Sequence, residues 1–254
     1  MPALLIAGCS LDSFNSLLSQ RVAEQAEETN VARQDVNTLA PQGLLSSGLT
    51  TARLDATSAA AMANTGDARQ VLTYAIGCAL DSTQAVSYIV GGETYNSVGG
   101  IGLARQWTDG PLSELQAAWV SACVFAHASE FSTVIWISVR GNQADLETTS
   151  DERSEYQREE GAFWGNAFID LGPVAAYACD GIDPMATDAT TDLPRQCAHW
   201  DGVAGSNKSS CGMGYAGMCR SICTTNSAPY TGCSFLGAAA SPSVITTFLS
   251  GPPD

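Results

Sequence analysis

Two histidines confine any acid–base chemistry in this chain to two places. His127 follows Cys123 by one helical turn and precedes Glu130 by three residues, which brings a carboxylate within reach of the imidazole. A histidine oriented in this way works as a general base, so one reading is a hydrolase using His127 with Glu130. The other reading is a core histidine held by structure. His199 stands in C-A-H-W-D with Cys197, Trp200 and Asp201. No serine occupies a G-x-S-x-G turn, and no H-E-x-x-H run supplies a metal pair.

Cysteine is the other chemically active residue here. The chain has 9 of them, and Cys9 stands apart in L-L-I-A-G-C-S. That run resembles a bacterial lipobox, in which the cysteine becomes the mature N-terminus and carries lipid. The eight residues before Cys9 lack a basic segment and are too few for an export signal, so the reading places the true start upstream. Cys78, Cys123, Cys179, Cys197, Cys211, Cys219, Cys223 and Cys233 remain, an even set suited to disulfides. Cys78 and Cys123 are expected to bond to each other, because both fall mid-helix on apolar faces and the other six lie downstream. Zinc is the competing use of the tail cysteines and His199. Only Cys219 and Cys223 have zinc-like spacing, and disulfides are preferred. Asp180, Asp183, Asp188 and Asp192 are crowded but lack the calcium-loop pattern, and read as a solvated loop. No metal and no cofactor is assigned.

Aromatic residues give the better indication of binding. Trp136, Phe163, Trp164 and Phe168 fall on two candidate strands, and alternation sends Phe163 and Trp164 to opposite faces. One ring then belongs to the core. An exposed Trp164 beside Asn166, with Trp136 nearby, would suit stacking on a carbohydrate or gripping a protein partner.

The elements that must position these residues are legible in outline. Leu115, Trp119, Ala122, Cys123 and Ala126 recur at helical spacing, predicting a helix over 113–131 with Ser113 and Gln116 as a capping box. A second apolar helix is predicted over 67–80 around Cys78. Val86, Tyr88 and Val90 alternate ahead of Gly91-Gly92, which reads as a two-residue hairpin turn. Thr133 to Arg140, Gly161 to Leu171 and Val174 to Cys179 read as strands, with an internal glycine in the second marking a bulge or close approach. The acidic span 142–160 reads as a solvated loop. Beyond Asp180 the chain is expected to be irregular coil, cross-linked in place of a core, and coil again to its final residue. Ahead of the helices, 12–28 reads as an amphipathic arm. Leu39, Leu44, Leu49 and Leu54 then form a weak five-residue repeat.

Composition sets the bounds. The 254 residues are 45% apolar, enough for a real core, and 26 acids against 11 bases leave a net charge of −15. Such a surface repels phosphate backbones, so nucleic acid is a poor partner. No stretch reaches the roughly 20 apolar residues of a membrane span. Any membrane contact is expected through an N-terminal lipid alone.

Taken in order, V-L-T-Y-A-I-G-C-A-L, G-L-A-R-Q-W, A-A-W-V-S-A-C-V-F-A, I-S-V-R-G, E-G-A-F-W-G-N-A-F and Y-A-C resemble a family of uncharacterised exported proteins of myxobacterial type. The likeness runs from about Leu39 to Cys233. Members share a Cys-rich tail and leucine-repeat N-terminal segments. The resemblance implies export and disulfides, and carries over no activity and no catalytic residue.

The reading is an α+β protein with two buried helices packed on a small, mainly antiparallel sheet and a disulfide-rich irregular tail. Its expected parts are an N-terminal segment at 1–66, a core at 67–178 and a Cys-rich tail at 179–254. Its expected role is that of an exported, lipid-anchored surface protein, structural or ligand-binding. The alternative is the hydrolase built on His127 and Glu130.

Overall fold

The computed structural model describes residues 66–128, 136–168, 175–181 and 197–250. Cys9 of the expected lipobox, the expected arm over 12–28, the leucine repeat, Glu130, and Asp183, Asp188 and Asp192 lie outside the described residues.

Helix α1 (Gly66–Ala79) leads into an antiparallel hairpin of β1 (Ala85–Val90) and β2 (Glu93–Val98). Gly91 and Gly92 make its turn with φ of 62° and 90°, a left-handed pair that glycine adopts without strain. Helix α2 (Glu114–Ala126) starts at the expected capping box: Ser113 Oγ accepts from the Gln116 amide, and Gln116 Oε1 accepts from the Ser113 amide. Leu115 departs from the expected buried face and is 53% exposed, because it lies in the first turn, before the helix enters the core. From Trp119 to Ala126 every side chain is buried. A helix apolar on all sides belongs in the middle of a fold. Here α1 packs on one side of α2, and the sheet lies on the other.

That sheet runs β3 (Ile137–Arg140), β7 (Val244–Leu249), β4 (Arg158–Asn166), β5 (Ala175–Asp180), β6 (Gly214–Met218). All pairs are antiparallel except β5 with β6. The fold is therefore α+β, with two buried helices on a mainly antiparallel sheet. The segment after residue 179 is more regular than expected. It supplies β6, the single-turn helix α4 (Cys219–Ile222) and β7, which lies between β3 and β4. Every residue of β7, V-I-T-T-F-L, is buried. The final stretch is thus not coil throughout, and its β-branched run was the signal for a strand.

The acidic span 142–160 is likewise corrected at its end. Thr149 caps the short helix α3 (Ser150–Glu155), accepting from the Glu152 amide, and the chain then enters β4. Register shifts between Glu159 and Gly161, so Glu160 is the extra residue of a bulge and turns inward, 2% exposed.

Both faces of the sheet are covered. Phe163, Ala176, Ala178 and Ile245 face the helices, in the core that holds Trp107, Val120 and Phe125. Ala162, Trp164, Cys179 and Val244 face the other way, against Cys219, Tyr230 and Cys233. The layers are helices, sheet and a cystine-bearing cover. Four disulfides join the eight described cysteines: Cys78–Cys123 between α1 and α2, Cys179–Cys219 from β5 to α4, Cys197–Cys211, and Cys223–Cys233. The Cα atoms of Cys78 and Cys123 are 6.0 Å apart, inside the span a disulfide bridges.

Two glycines let the strands close up. A Cβ on Gly161 would lie 2.3 Å from the Cys179 carbonyl oxygen and 2.5 Å from Ala198 Cβ. One on Gly165, where φ is 134°, would lie 1.8 Å from the Ala175 carbonyl oxygen. Close backbone approach is what an in-strand glycine signals.

Candidate functional site

His127 terminates α2 as its C-cap. Its Nδ1 lies 2.8 Å from the Cys123 carbonyl oxygen, which can only accept, so that nitrogen carries the proton and donates. The ring stacks on Tyr74 at a centroid distance of 5.0 Å. One imidazole nitrogen is therefore committed to ending the helix. With Glu130 outside the described residues, the expected His127–Glu130 pair cannot be assembled from them.

The expected aromatic platform is corrected. Phe163 and Trp164 do point to opposite faces, but both faces are covered, and Trp164 is only 2% exposed. Its ring lies 5.9 Å from Tyr177, which stacks on Phe235 at 4.7 Å, so the indole is a packing element of the second core. Asn166 Oδ1 accepts from the Phe168 amide at 2.8 Å, a local turn that ends β4. Trp136 is half-buried beside β3. These three residues form no common surface for stacking on a ligand.

The structure instead assembles Asp180, His199 and Tyr215. Asp180 ends β5. Tyr215 lies on the neighbouring parallel strand β6, where it is opposite Ala178. His199 arrives from a short antiparallel ribbon in which Trp200 bridges Ser209 and the Ser210 amide donates to the His199 carbonyl. The Cys197–Cys211 disulfide crosses the base of that ribbon, two residues before His199. Local sequence also shapes the turn. Asp201 accepts from the Val203 amide at 3.0 Å and from Ser206 Oγ at 2.6 Å, and the Trp200 indole donates to the Ser206 carbonyl at 3.0 Å.

Both oxygens of Asp180 are engaged. Oδ1 meets His199 Nδ1, and Oδ2 accepts from the Tyr215 hydroxyl. The side chains of His199 and Asp180 are 27% and 15% exposed. Burial, then the hydrogen bond to Asp180 and the carboxylate charge, push the Tyr215 phenol well above its ordinary value. It therefore stays a neutral donor across the physiological range. The arrangement fixes an imidazole ring at the edge of the sheet through a carboxylate that is itself fixed by a phenol. The ring's Nδ1 faces Asp180 and its Nε2 is buried, so the cluster fixes the ribbon that carries His199 on the edge of the sheet.

Sequence spacing hides this cluster. In the sequence Asp180 stands among acidic neighbours and His199 among cysteines, and only the β5–β6 pairing and the Cys197–Cys211 bond bring them together. A second charged cluster is a clasp: Arg105 Nε lies 2.9 Å from Asp81 Oδ2 and its Nη2 lies 2.5 Å from Asp145 Oδ1. Donors from Thr83, then Arg105, hold the Asp81 carboxyl below the usual carboxylate value.

Among the described residues no helix is long and apolar enough to cross a membrane. Disulfides of this number fit an extracytoplasmic protein. Comparison with protein-family models, with curated proteins and with solved structures finds no match to this chain.

Proposed function

We propose that the chain is an exported surface protein with a ligand-binding role, lipid-anchored at Cys9, in which the Asp180–His199–Tyr215 cluster holds in place the ribbon that offers the exposed Trp200 and Val203 to a carbohydrate or protein partner. The observation that carries this reading is the disulfide set, which joins α1 to α2, β5 to α4, and the two strands that hold His199 in place. Such a frame costs nothing to keep in an oxidising compartment and would be lost in a reducing one. Fixed polar groups on a cross-linked scaffold lose little freedom on binding, which favours recognition. The alternative of a hydrolase acting through His127 has less support, since that ring caps a helix and stacks on Tyr74.

The test is made on protein recovered from its native host. Intact mass should show an N-terminus beginning at a diacylated Cys9, and Cys9→Ser should release the chain from membranes. Screening against glycans and surface proteins of the host should yield a ligand whose retention falls in His199→Ala and Asp180→Asn. A soluble, unlipidated mature chain, or binding indifferent to both substitutions, would overturn the reading.

A further inference from the structure

The second core holds two disulfides side by side, Cys179–Cys219 and Cys223–Cys233. Cys223 and Cys233 are bonded to each other, and the Sγ of Cys179, from the other disulfide, lies within 4.8 Å of both. The fourth sulfur, from Cys219, is bonded to Cys179. Cys219 opens α4 and Cys223 follows it by one turn, a C-x3-C pair of the spacing zinc sites use. Cys179 comes from β5 and Cys233 from the loop that bridges to Ser241, so the set converges from three parts of the fold.

Tetrahedral zinc with thiolate bonds near 2.3 Å places its sulfurs about 3.8 Å apart. Three of the four sulfurs already fall in a group of that scale. Cys179, Cys219 and Cys233 are fully buried, and their surroundings include Ala162, Trp164, Tyr230 and Val244, which shield a site from water. We infer that Cys179, Cys219, Cys223 and Cys233 form a redox-gated zinc site: two disulfides when oxidised, one tetrathiolate zinc when reduced.

The chemistry balances with a dithiol as reductant. Two dithiol molecules give four electrons and four protons, becoming two cyclic disulfides, and the protein gains four thiols. Zinc then replaces the four thiol protons, which leave to solvent. For the reverse step two molecules of a small disulfide accept the four electrons and, with four protons from solvent, leave as four thiols, while both protein disulfides reform and zinc is released. The other sulfur-bearing group, Cys78, Cys123 and His127, has only two sulfurs, and its Nδ1 is bonded to the Cys123 carbonyl. It serves as an internal control. This inference does not depend on the proposed surface role.

The experiment uses the full chain, reduced anaerobically with dithiothreitol, freed of reductant and titrated with zinc, or with cobalt as a coloured stand-in. One metal per chain is expected, with the thiolate charge-transfer and tetrahedral absorption of cobalt. Alkylation read by mass spectrometry should then spare Cys179, Cys219, Cys223 and Cys233 while modifying Cys78, Cys123, Cys197 and Cys211, and a chelator should remove the protection. In Cys223→Ser/Cys233→Ser, stoichiometric uptake should disappear. Uniform alkylation of these eight cysteines in the presence of zinc would overturn the inference, including where reduction has simply unfolded the chain. Protection centred on Cys78 and Cys123, or uptake undiminished in the double variant, would do the same. The alkylation pattern needs no substitution, so the result stands even where the variant fails to fold.

Discussion

Thr247 Oγ1 lies 2.6 Å from Glu160 Oε2, a hydrogen bond between neighbouring strands that holds a carboxylate only 2% exposed. The bulge before Gly161 is what turns this acid inward, and the hydroxyl of β7 is positioned to meet it. Removing that donor leaves a buried acceptor poorly satisfied, which costs about 1–3 kcal/mol. Thr247→Val should lower the unfolding free energy by that amount in urea denaturation. Thr247→Ser, which keeps the hydroxyl, should recover most of it.

Glu160 also shows where sequence reading stops. Seven acids between Asn142 and Glu160 describe a solvated loop by composition, and six of them are placed no deeper than half-buried. The seventh is buried because of one added residue in a ladder, a matter of register with no compositional trace. The two helices and the hairpin were legible because apolar spacing and Gly91-Gly92 are local signals. Strand β7 is hidden despite its β-branched run, since the small residues and prolines around it read as coil. The Asp180–His199–Tyr215 cluster was invisible for a different reason. Its members are joined by a parallel strand pair and a disulfide, both long-range.

The Cys78–Cys123 bond closes a loop across 45 residues. In the chain-entropy account a loop of that length contributes about 4 kcal/mol. The double substitution Cys78→Ala/Cys123→Ala should lower stability by roughly that much, read as a shifted urea midpoint. Chelators should leave the oxidised wild-type protein unmoved.

Alkaline pH should destabilise the fold through two phenols. Burial first, then hydrogen bonds to Asp180 and Glu159, raise Tyr215 and Tyr230 above the ordinary value of 10.0. Above that value the unfolded chain has lost protons that the folded chain keeps, so stability falls as pH rises. Below it both states hold the proton and the contribution is constant. Unfolding midpoints measured across the phenol range should fall, and less steeply in Tyr215→Phe and Tyr230→Phe.

Gly161→Ala should be costly and Gly110→Ala should not. The first places a methyl 2.3 Å from a backbone oxygen, whereas the second meets nothing within 4 Å. Overpacking of this kind costs roughly 1–3 kcal/mol. Thermal unfolding of the pair separates them, with Gly110→Ala expected at or slightly above wild type.

Strand β7 has a bearing on when, during synthesis, the protein can be finished. It pairs with β3 on one edge and β4 on the other, and β3 and β4 do not pair with each other. While a ribosome is still short of Val244, the strands already made have a gap where their shared neighbour belongs. Unpaired edges are sticky, and non-local pairing is slow to close. The joining of β3 to the rest of the sheet must therefore wait until those residues emerge, however early the other strands pair.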